Sequence, residues 1–219
     1  MLNYRIDPAD LLPLVPAGTE LDTWRGEALV SVVGFRFLKT RVLGVPVPFH
    51  RDFDEVNLRF YVRRETAGMV RRGVVFIREV VPRWAIAALA RWTYNEPYVS
   101  CPMKSEAGPT GARYAWESAG RWNEVAVEVA GEPSPLVAGS EAEFITEHYW
   151  GYTRQRDGGT VEYEVRHPPW RVWNAVAATL DCDVRGFYGI EYAETLAVPP
   201  CSAFLAEGSE IAVLPAQTI

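Results

Sequence analysis

Residues 55–63 read Glu-Val-Asn-Leu-Arg-Phe-Tyr-Val-Arg, and the strict alternation sorts them into two sets. In a β-strand, where successive side chains point to opposite faces, Val56, Leu58, Phe60 and Val62 share one face and Glu55, Asn57, Arg59, Tyr61 and Arg63 the other. The simplest reading is an antiparallel strand with a wet outer face. Such faces usually mix charge with Thr, Ser and Lys, whereas this set can hydrogen-bond itself and a ligand. Arg59 offers a fork for a carboxylate, Glu55 a proton-transfer group and Tyr61 a hydroxyl. If the stripe is buried it needs partners, because an unpaired charge away from water is costly.

Other chemistry-bearing residues are sparse. The three histidines, His50, His148 and His167, have no short ligand spacing, so no metal and no other cofactor is expected. A nucleophilic Cys–His pair would need Cys101 beside His148 or His167, but a lone cysteine is more often a small buried hydrophobe. Lys39 and Lys104 are the only lysines among 22 basic residues, so amine chemistry has two candidates. No Gly-x-Ser-x-Gly elbow, phosphate-binding loop or dinucleotide fingerprint is present.

The elements that must position these residues read mostly as strands. Asp7-Pro8 caps a short helix that ends by Pro16-Ala17-Gly18. Residues 28–37 are rich in β-branched and aromatic types, and 45–48 read as extended loop because each Pro disfavours helix before it. Thr66-Ala67-Gly68 and Arg71-Arg72-Gly73 are loop signals before Val74-Val75-Phe76-Ile77, which predicts a hairpin whose solvated tip carries the paired arginines. Pro82 opens a helix with Trp84, Ala88, Leu89 and Trp92 on one face, closed by Asn95-Glu96-Pro97. Ser140-x-x-Glu143 is a capping box. Strands follow at 149–152, 160–165, 170–180 and 209–214, with a turn at Gly158-Gly159.

Composition sets the outer bounds. At 219 residues, with 48% apolar and 23% charged residues, the chain carries enough apolar surface for one large domain over 1–219. A net charge of −6 gives no attraction for phosphate backbones or anionic lipid, so neither nucleic acid nor membrane is an expected partner. Three cysteines without a Cys-x-x-Cys pair, no apolar leader and no run of about 18 apolar residues fit a cytoplasmic protein. Eight Trp, ten Tyr and nine Phe exceed what a core of this size needs and suggest a cavity or contact surface.

Several ordered segments carry a resemblance to a known family. They are Ile6-Asp7-Pro8-x-x-Leu11-Leu12-x-x-Val15-Pro16-x-Gly18-Thr19-Glu20-Leu21-Asp22-Thr23-Trp24-x-Gly26, Glu55-x-Asn57-x-Arg59-x-Tyr61-Val62, Pro97-Tyr98 with Met103, Phe144-Ile145-Thr146-Glu147-His148-Tyr149, His167-Pro168-Pro169-Trp170, and Ser202-Ala203-Phe204-Leu205-Ala206-Glu207-Gly208. Together they resemble the YqjF-like bacterial proteins, the domain-of-unknown-function family 2071. That family is grouped with acetoacetate decarboxylase-like proteins. The resemblance implies an α+β fold, mostly antiparallel β: a β-cone or partly open barrel with a central cavity and a few flanking helices. It would also give the polar stripe of 55–61 a destination inside the curled sheet.

The decarboxylases place two lysines after a Gly-aromatic-Pro segment, one forming a Schiff base. This sequence has Asn95-Glu96-Pro97-Tyr98-Val99 there and neither lysine. Lys104 lies six residues beyond Tyr98, about 20 Å along a strand. Glu55 matches the acidic residue of the decarboxylase strand. Two readings follow. In one, a small organic molecule, such as a carboxylate, binds at Glu55, Asn57, Arg59, Tyr61, Tyr98, Glu147 and His148 without Schiff-base decarboxylation. In the other, the polar residues are structural and the chain acts through its surface, as a homodimer or partner-binding module marked by Trp150 and Trp170.

Overall fold

The computed structural model describes residues 1–38, 41–42, 45–46, 52–82 and 97–219. In chain order, β1 (Leu2–Ile6), α1 (Pro8–Leu11), β2 (Glu20–Leu21), β3 (Ala28–Phe37), β4 (Arg41–Val42), β5 (Val45–Pro46), β6 (Phe53–Thr66) and β7 (Met69–Val81) form the first half. Then follow β8 (Tyr98–Ser100), β9 (Met103–Gly108), β10 (Gly111–Ser118), β11 (Arg121–Val129), α2 (Glu141–Thr146), β12 (Trp150–Arg154), β13 (Thr160–Arg166), β14 (Val172–Asp181), α3 (Val184–Phe187), β15 (Ser202–Ala206), β16 (Ala212–Val213) and β17 (Gln217–Thr218). The helix expected from Pro82 to Asn95 has only its first residue inside the described residues, and Lys39 and His50 lie outside them.

One long path of strands dominates, in the order β16-β13-β12-β7-β6-β3-β1-β15-β14-β11-β10-β9. Its pairings are antiparallel except where β12 and β8 lie parallel on β7. The two regions of the sheet are brought together by one segment of chain. β8 runs along β7, and two residues later the same chain continues as β9 along β10. At the joint the Cys101 N–H donates to Val81 O at 3.0 Å and the Glu117 N–H to Pro102 O at 2.9 Å. Pro102 has no N–H to offer a ladder, so pairing changes sides there. The result is a mostly antiparallel, partly open barrel with few helices.

Local sequence explains the best-formed elements. Asp7 Oδ1 accepts from Ala9 N–H at 2.9 Å to cap α1 ahead of Pro8. Ser140 Oγ accepts from Glu143 N–H at 3.1 Å to cap α2, while Glu143 reaches back to Gly139 N–H rather than to Ser140. Ala67 and Gly68, with φ of 49° and 74°, supply the left-handed pair that a two-residue hairpin between β6 and β7 needs.

Two expectations need correction. Arg71-Arg72-Gly73 is not a loop; it lies inside β7, with Arg72 opposite Arg63 and Arg71 opposite Arg64. Neither arginine is a solvated tip, because Arg71 joins Arg64 on the buried Glu162, at 2.5 and 2.9 Å, and Arg72 pairs with Asp22. The meander β9–β11 goes beyond the expected extension of strand from Tyr98 to Lys104. Met103-Lys-Ser-Glu-Ala-Gly has weak strand propensity and is held extended by its pairing with β10.

The sheet buries both of its faces near β6. On one, Val56, Leu58, Phe60 and Val62 join Leu2, Tyr4, Val30, Val32, Trp116 and Val127 in the main core. That face meets β10 across the curl closely enough that a Cβ on Gly34 would lie 2.6 Å from the Tyr114 ring. Gly34→Ala is therefore expected to lower stability by about 1–3 kcal/mol in chemical denaturation. The loss should shrink in a Tyr114→Ala background, since the two residues share one contact.

Candidate functional site

The polar stripe occupies the opposite face of β6. It is covered by α2 and the residues that follow it, and by β8 at its lower end. Arg63 leaves the stripe near the hairpin and pairs with Glu20 at the surface. Glu55, Asn57 and Tyr61 are buried, whereas Arg59 is half-buried.

Glu55 forms the first centre. Asn57 Nδ2 donates to its Oε1 at 3.0 Å and the Tyr98 hydroxyl to its Oε2 at 3.2 Å. Its cross-strand neighbour on β3 is Phe35. Burial pushes the Glu55 carboxyl from 4.5 up to about 7, against the opposing hydrogen bonds from Asn57 and Tyr98 and the charge of Arg59. A carboxyl in that range can accept or release a proton near neutrality. Glu79, on β7 directly opposite Asn57, is buried on the same face and puts a second carboxyl group beside this centre. Glu79 is not among the residues expected at the site. Its one signal was a lone acid inside the apolar run 74–81, and the bulge opposite Leu58/Arg59 obscured its facing.

Register explains a second polar row. Arg59 lies opposite Ser31, Ser31 opposite Asn3 and Asn3 opposite Ser202, across β6, β3, β1 and β15. Ser31 Oγ donates to Asn3 Oδ1 at 2.6 Å, so the Tyr61 hydroxyl, also at 2.6 Å from Ser31 Oγ, is the donor in that pair. Asn3 Nδ2 donates to Ser202 Oγ at 2.8 Å, and Ser202 donates to Glu141 on α2. The Tyr61 proton is thus committed to Ser31 rather than to a ligand. Arg59 differs: Nη2 makes a 3.4 Å bond to Ile145 O, and Nε is buried with no acceptor among the described residues.

The third centre joins β2 to the end of α2. The Asp22 N–H donates to Tyr61 O at 3.0 Å, which seats the carboxylate beside the stripe. Arg72 Nε and Nη2 donate to Asp22 at 2.6 and 3.2 Å, and His148 Nε2 lies 3.1 Å from Asp22 Oδ2. Burial opposes ionisation of Asp22, but the hydrogen bonds from His148 and Arg72 outweigh it and hold the carboxyl at about 2. Burial lowers the His148 pKa despite Asp22, so His148 is a neutral ring hydrogen-bonded to an ion rather than half of an ion pair. Its ring packs on Tyr61 and Phe144 at centroid distances of 4.7 and 4.8 Å. Asp22 and Arg72 were not among the expected site residues. Nothing in their local spacing links positions 22, 72 and 148; only the pairing of β2 and β7 with β6 does.

The remaining candidates separate from these centres. Glu147 accepts from the Tyr149 hydroxyl, and Tyr149 leads outward to His167, which stacks on Trp170 at 4.0 Å. Trp170 Nε1 donates to Ser209 at 2.8 Å, and Trp150 lies half-buried under the Arg71 guanidinium. The thiol of Cys101, pushed up by burial, packs against the main core rather than beside either histidine. Lys104 is exposed and sits 4.0 Å over the Trp122 ring, on the outer surface of β9 and β11. Among the described residues, no helix is long and apolar enough to cross a membrane.

Comparison with known proteins places this geometry in a family and a fold. The uncharacterized protein YqjF of Bacillus subtilis (strain 168) is 30% identical over 198 residues, covering 88% of this chain and 79% of that protein. Solved structures share the fold at low identity. Acetoacetate decarboxylase from Legionella pneumophila superposes with a TM-score of 0.67 at 15% identity, over 100% of this chain and 82% of its own. The enduracididine biosynthesis enzyme MppR complexed with pyruvate gives 0.60 at 15%, over 92% and 79%. An acetoacetate decarboxylase-like enzyme from Sphingomonas wittichii RW1 gives 0.58 at 15%, over 98% and 84%. The profile of domain-of-unknown-function family 2071, described as an uncharacterized conserved protein, matches residues 1–210, and the chain belongs to that family.

Proposed function

We propose that the protein binds a small organic carboxylate against the polar face of β6. Arg59 makes the anion contact, Glu55 is the proton-exchanging group, and Asn57 and Tyr98 orient it. Arg59 carries the reading: among the described residues its Nε donor is buried without an acceptor, and its hydrogen bond to the Ile145 backbone carbonyl is long, at 3.4 Å. A bound carboxylate would satisfy that donor through a charge-assisted bond. Support comes from the shared fold, since structural relatives are named for acetoacetate or complexed with pyruvate. Thermal-shift measurements with acetate, pyruvate and acetoacetate test the reading. A ligand at about 100 times its dissociation constant should stabilise the protein by roughly 2.7 kcal/mol. Arg59→Met should remove the effect, and no shift with any of the three overturns the reading.

The reading does not involve a Schiff base. Lys104 is exposed over Trp122, whereas Glu55 is buried among Asn57 and Tyr98. Borohydride reduction in the presence of acetoacetate is expected to leave the intact mass unchanged, in the native protein and in Lys104→Arg alike. An adduct mapped to either lysine would reinstate amine chemistry.

A second reading is favoured by the hydrogen-bond chain from Tyr61 to Glu141, which is saturated without a ligand. In it the polar face is structural and the chain works as a homodimer or partner-binding module. Exposed apolar residues such as Val176 on β14, at 67% exposure, would supply the contact. A light-scattering mass of two chains that falls to one in Val176→Asp, with no carboxylate-induced stabilisation, would favour this reading over the first.

A further inference from the structure

Two buried polar atoms near the Tyr61 ring lack a hydrogen-bond partner among the described residues, and they have opposite chemistry. Asp22 takes two N–H bonds from Arg72 and faces His148 Nε2, so it is an ionised acceptor and Nε2 carries the ring proton. A neutral imidazole has one N–H, which leaves Nδ1 as a bare lone pair. That atom is buried with no hydrogen-bond partner among the described residues, in a side chain only 1% exposed. The complementary atom is the buried, unpartnered Nε donor of Arg59. The imidazole lies 4.7 Å from the Tyr61 ring centroid and the guanidinium carbon 5.8 Å. Arg59 also bonds Ile145 O, three residues before His148 at the same end of α2. A charged donor without an acceptor and an acceptor without a donor therefore share one neighbourhood.

We propose that Arg59 and His148 form a subsite for a small hydroxy acid, whose carboxylate accepts from Arg59 Nε and whose hydroxyl donates to His148 Nδ1. The inference rests on the reading of the β6 face as a carboxylate site and narrows it. A keto acid would turn a carbonyl lone pair toward the lone pair of Nδ1, and an unsubstituted acid would leave Nδ1 bare. Of these three acid classes, the one with a hydroxyl beside its carboxylate satisfies both atoms.

Calorimetric titration of the full chain with lactate, propionate and pyruvate tests this directly. Lactate is expected to bind at least about fivefold more tightly than the other two, since a buried acceptor left unpaired is penalised. In His148→Phe the preference for lactate should collapse to within about twofold. Nitrogen NMR of the wild-type ring gives a readout that needs no variant. It should show the Nε2–H tautomer in the free protein and a shift of Nδ1 on adding lactate but not propionate. Lactate binding no tighter than propionate, or an Nδ1–H tautomer in the free protein, overturns the subsite and leaves the carboxylate reading standing. Absence of binding by all three overturns both.

Discussion

Asp22→Asn is expected to destabilise the protein by about 3 kcal/mol at neutral pH, read as a lower midpoint and unchanged slope in urea denaturation. The substitution leaves Arg72 facing a neutral amide and removes the ion that orients the buried His148. Removing one partner of a buried pair costs up to about 5 kcal/mol, and the partial exposure of Arg72 brings the figure down. The pH dependence has a definite sign. Asp22 is held at about 2 against an ordinary 3.8, so its contribution is present above the ordinary value and is lost as pH falls through the folded one. His148 acts in the same direction, because acidification through its ordinary 6.5 must charge a ring that burial keeps neutral. The gap between wild type and Asp22→Asn should therefore narrow between about pH 4 and pH 2. An unchanged gap across that window would show that Asp22 is not ionised through its pairing with Arg72 and His148.

Glu55→Gln should do the opposite and stabilise the protein at alkaline pH. Because the Glu55 carboxyl is raised from 4.5 to about 7, ionising it costs more in the folded chain than in the unfolded one. Its contribution is fully present below about 4.5 and is lost as pH rises through about 7. Gln resembles the protonated carboxyl: its oxygen can accept from Asn57 and its amide can donate to the Tyr98 hydroxyl oxygen. The variant should match wild type near pH 4 and exceed it by about 3 kcal/mol at pH 8. Equal stability of the two proteins at pH 8 would mean that Glu55 ionises without penalty.

Much of the local structure was legible in the chain. Asp7-Pro8 and Ser140-x-x-Glu143 open their helices as their caps predict, and 28–37 and 55–63 lie in strands. The division of 55–62 into apolar and polar faces also holds, because a period of two is a covalent property of extended chain. What failed were inferences about partners. The doublet Arg71-Arg72 looked like a solvated tip because its acids, Asp22 and Glu162, are 50 and 91 residues away. The meander of β9 with β10 and β11 was not legible because the extended form of β9 is held by its pairing with β10.

The amino-acid sequence by itself determined the strand-rich class, the family, the helix caps and the two-faced character of β6, all properties carried by neighbours within about four residues or by ordered motifs. Tertiary structure alone decided which polar residues meet. Strand register set Tyr61 on Ser31 and Asn57 beside Glu79, and the chain's return over β6 set His148 on Asp22. Surroundings then decided their chemistry: burial raises Glu55, whereas hydrogen bonds from His148 and Arg72 overcome burial and lower Asp22, although both are ordinary carboxyls in the unfolded chain. Solvation and charge pairing depend on what surrounds a group in space, and for these residues those surroundings are assembled only when distant strands pair.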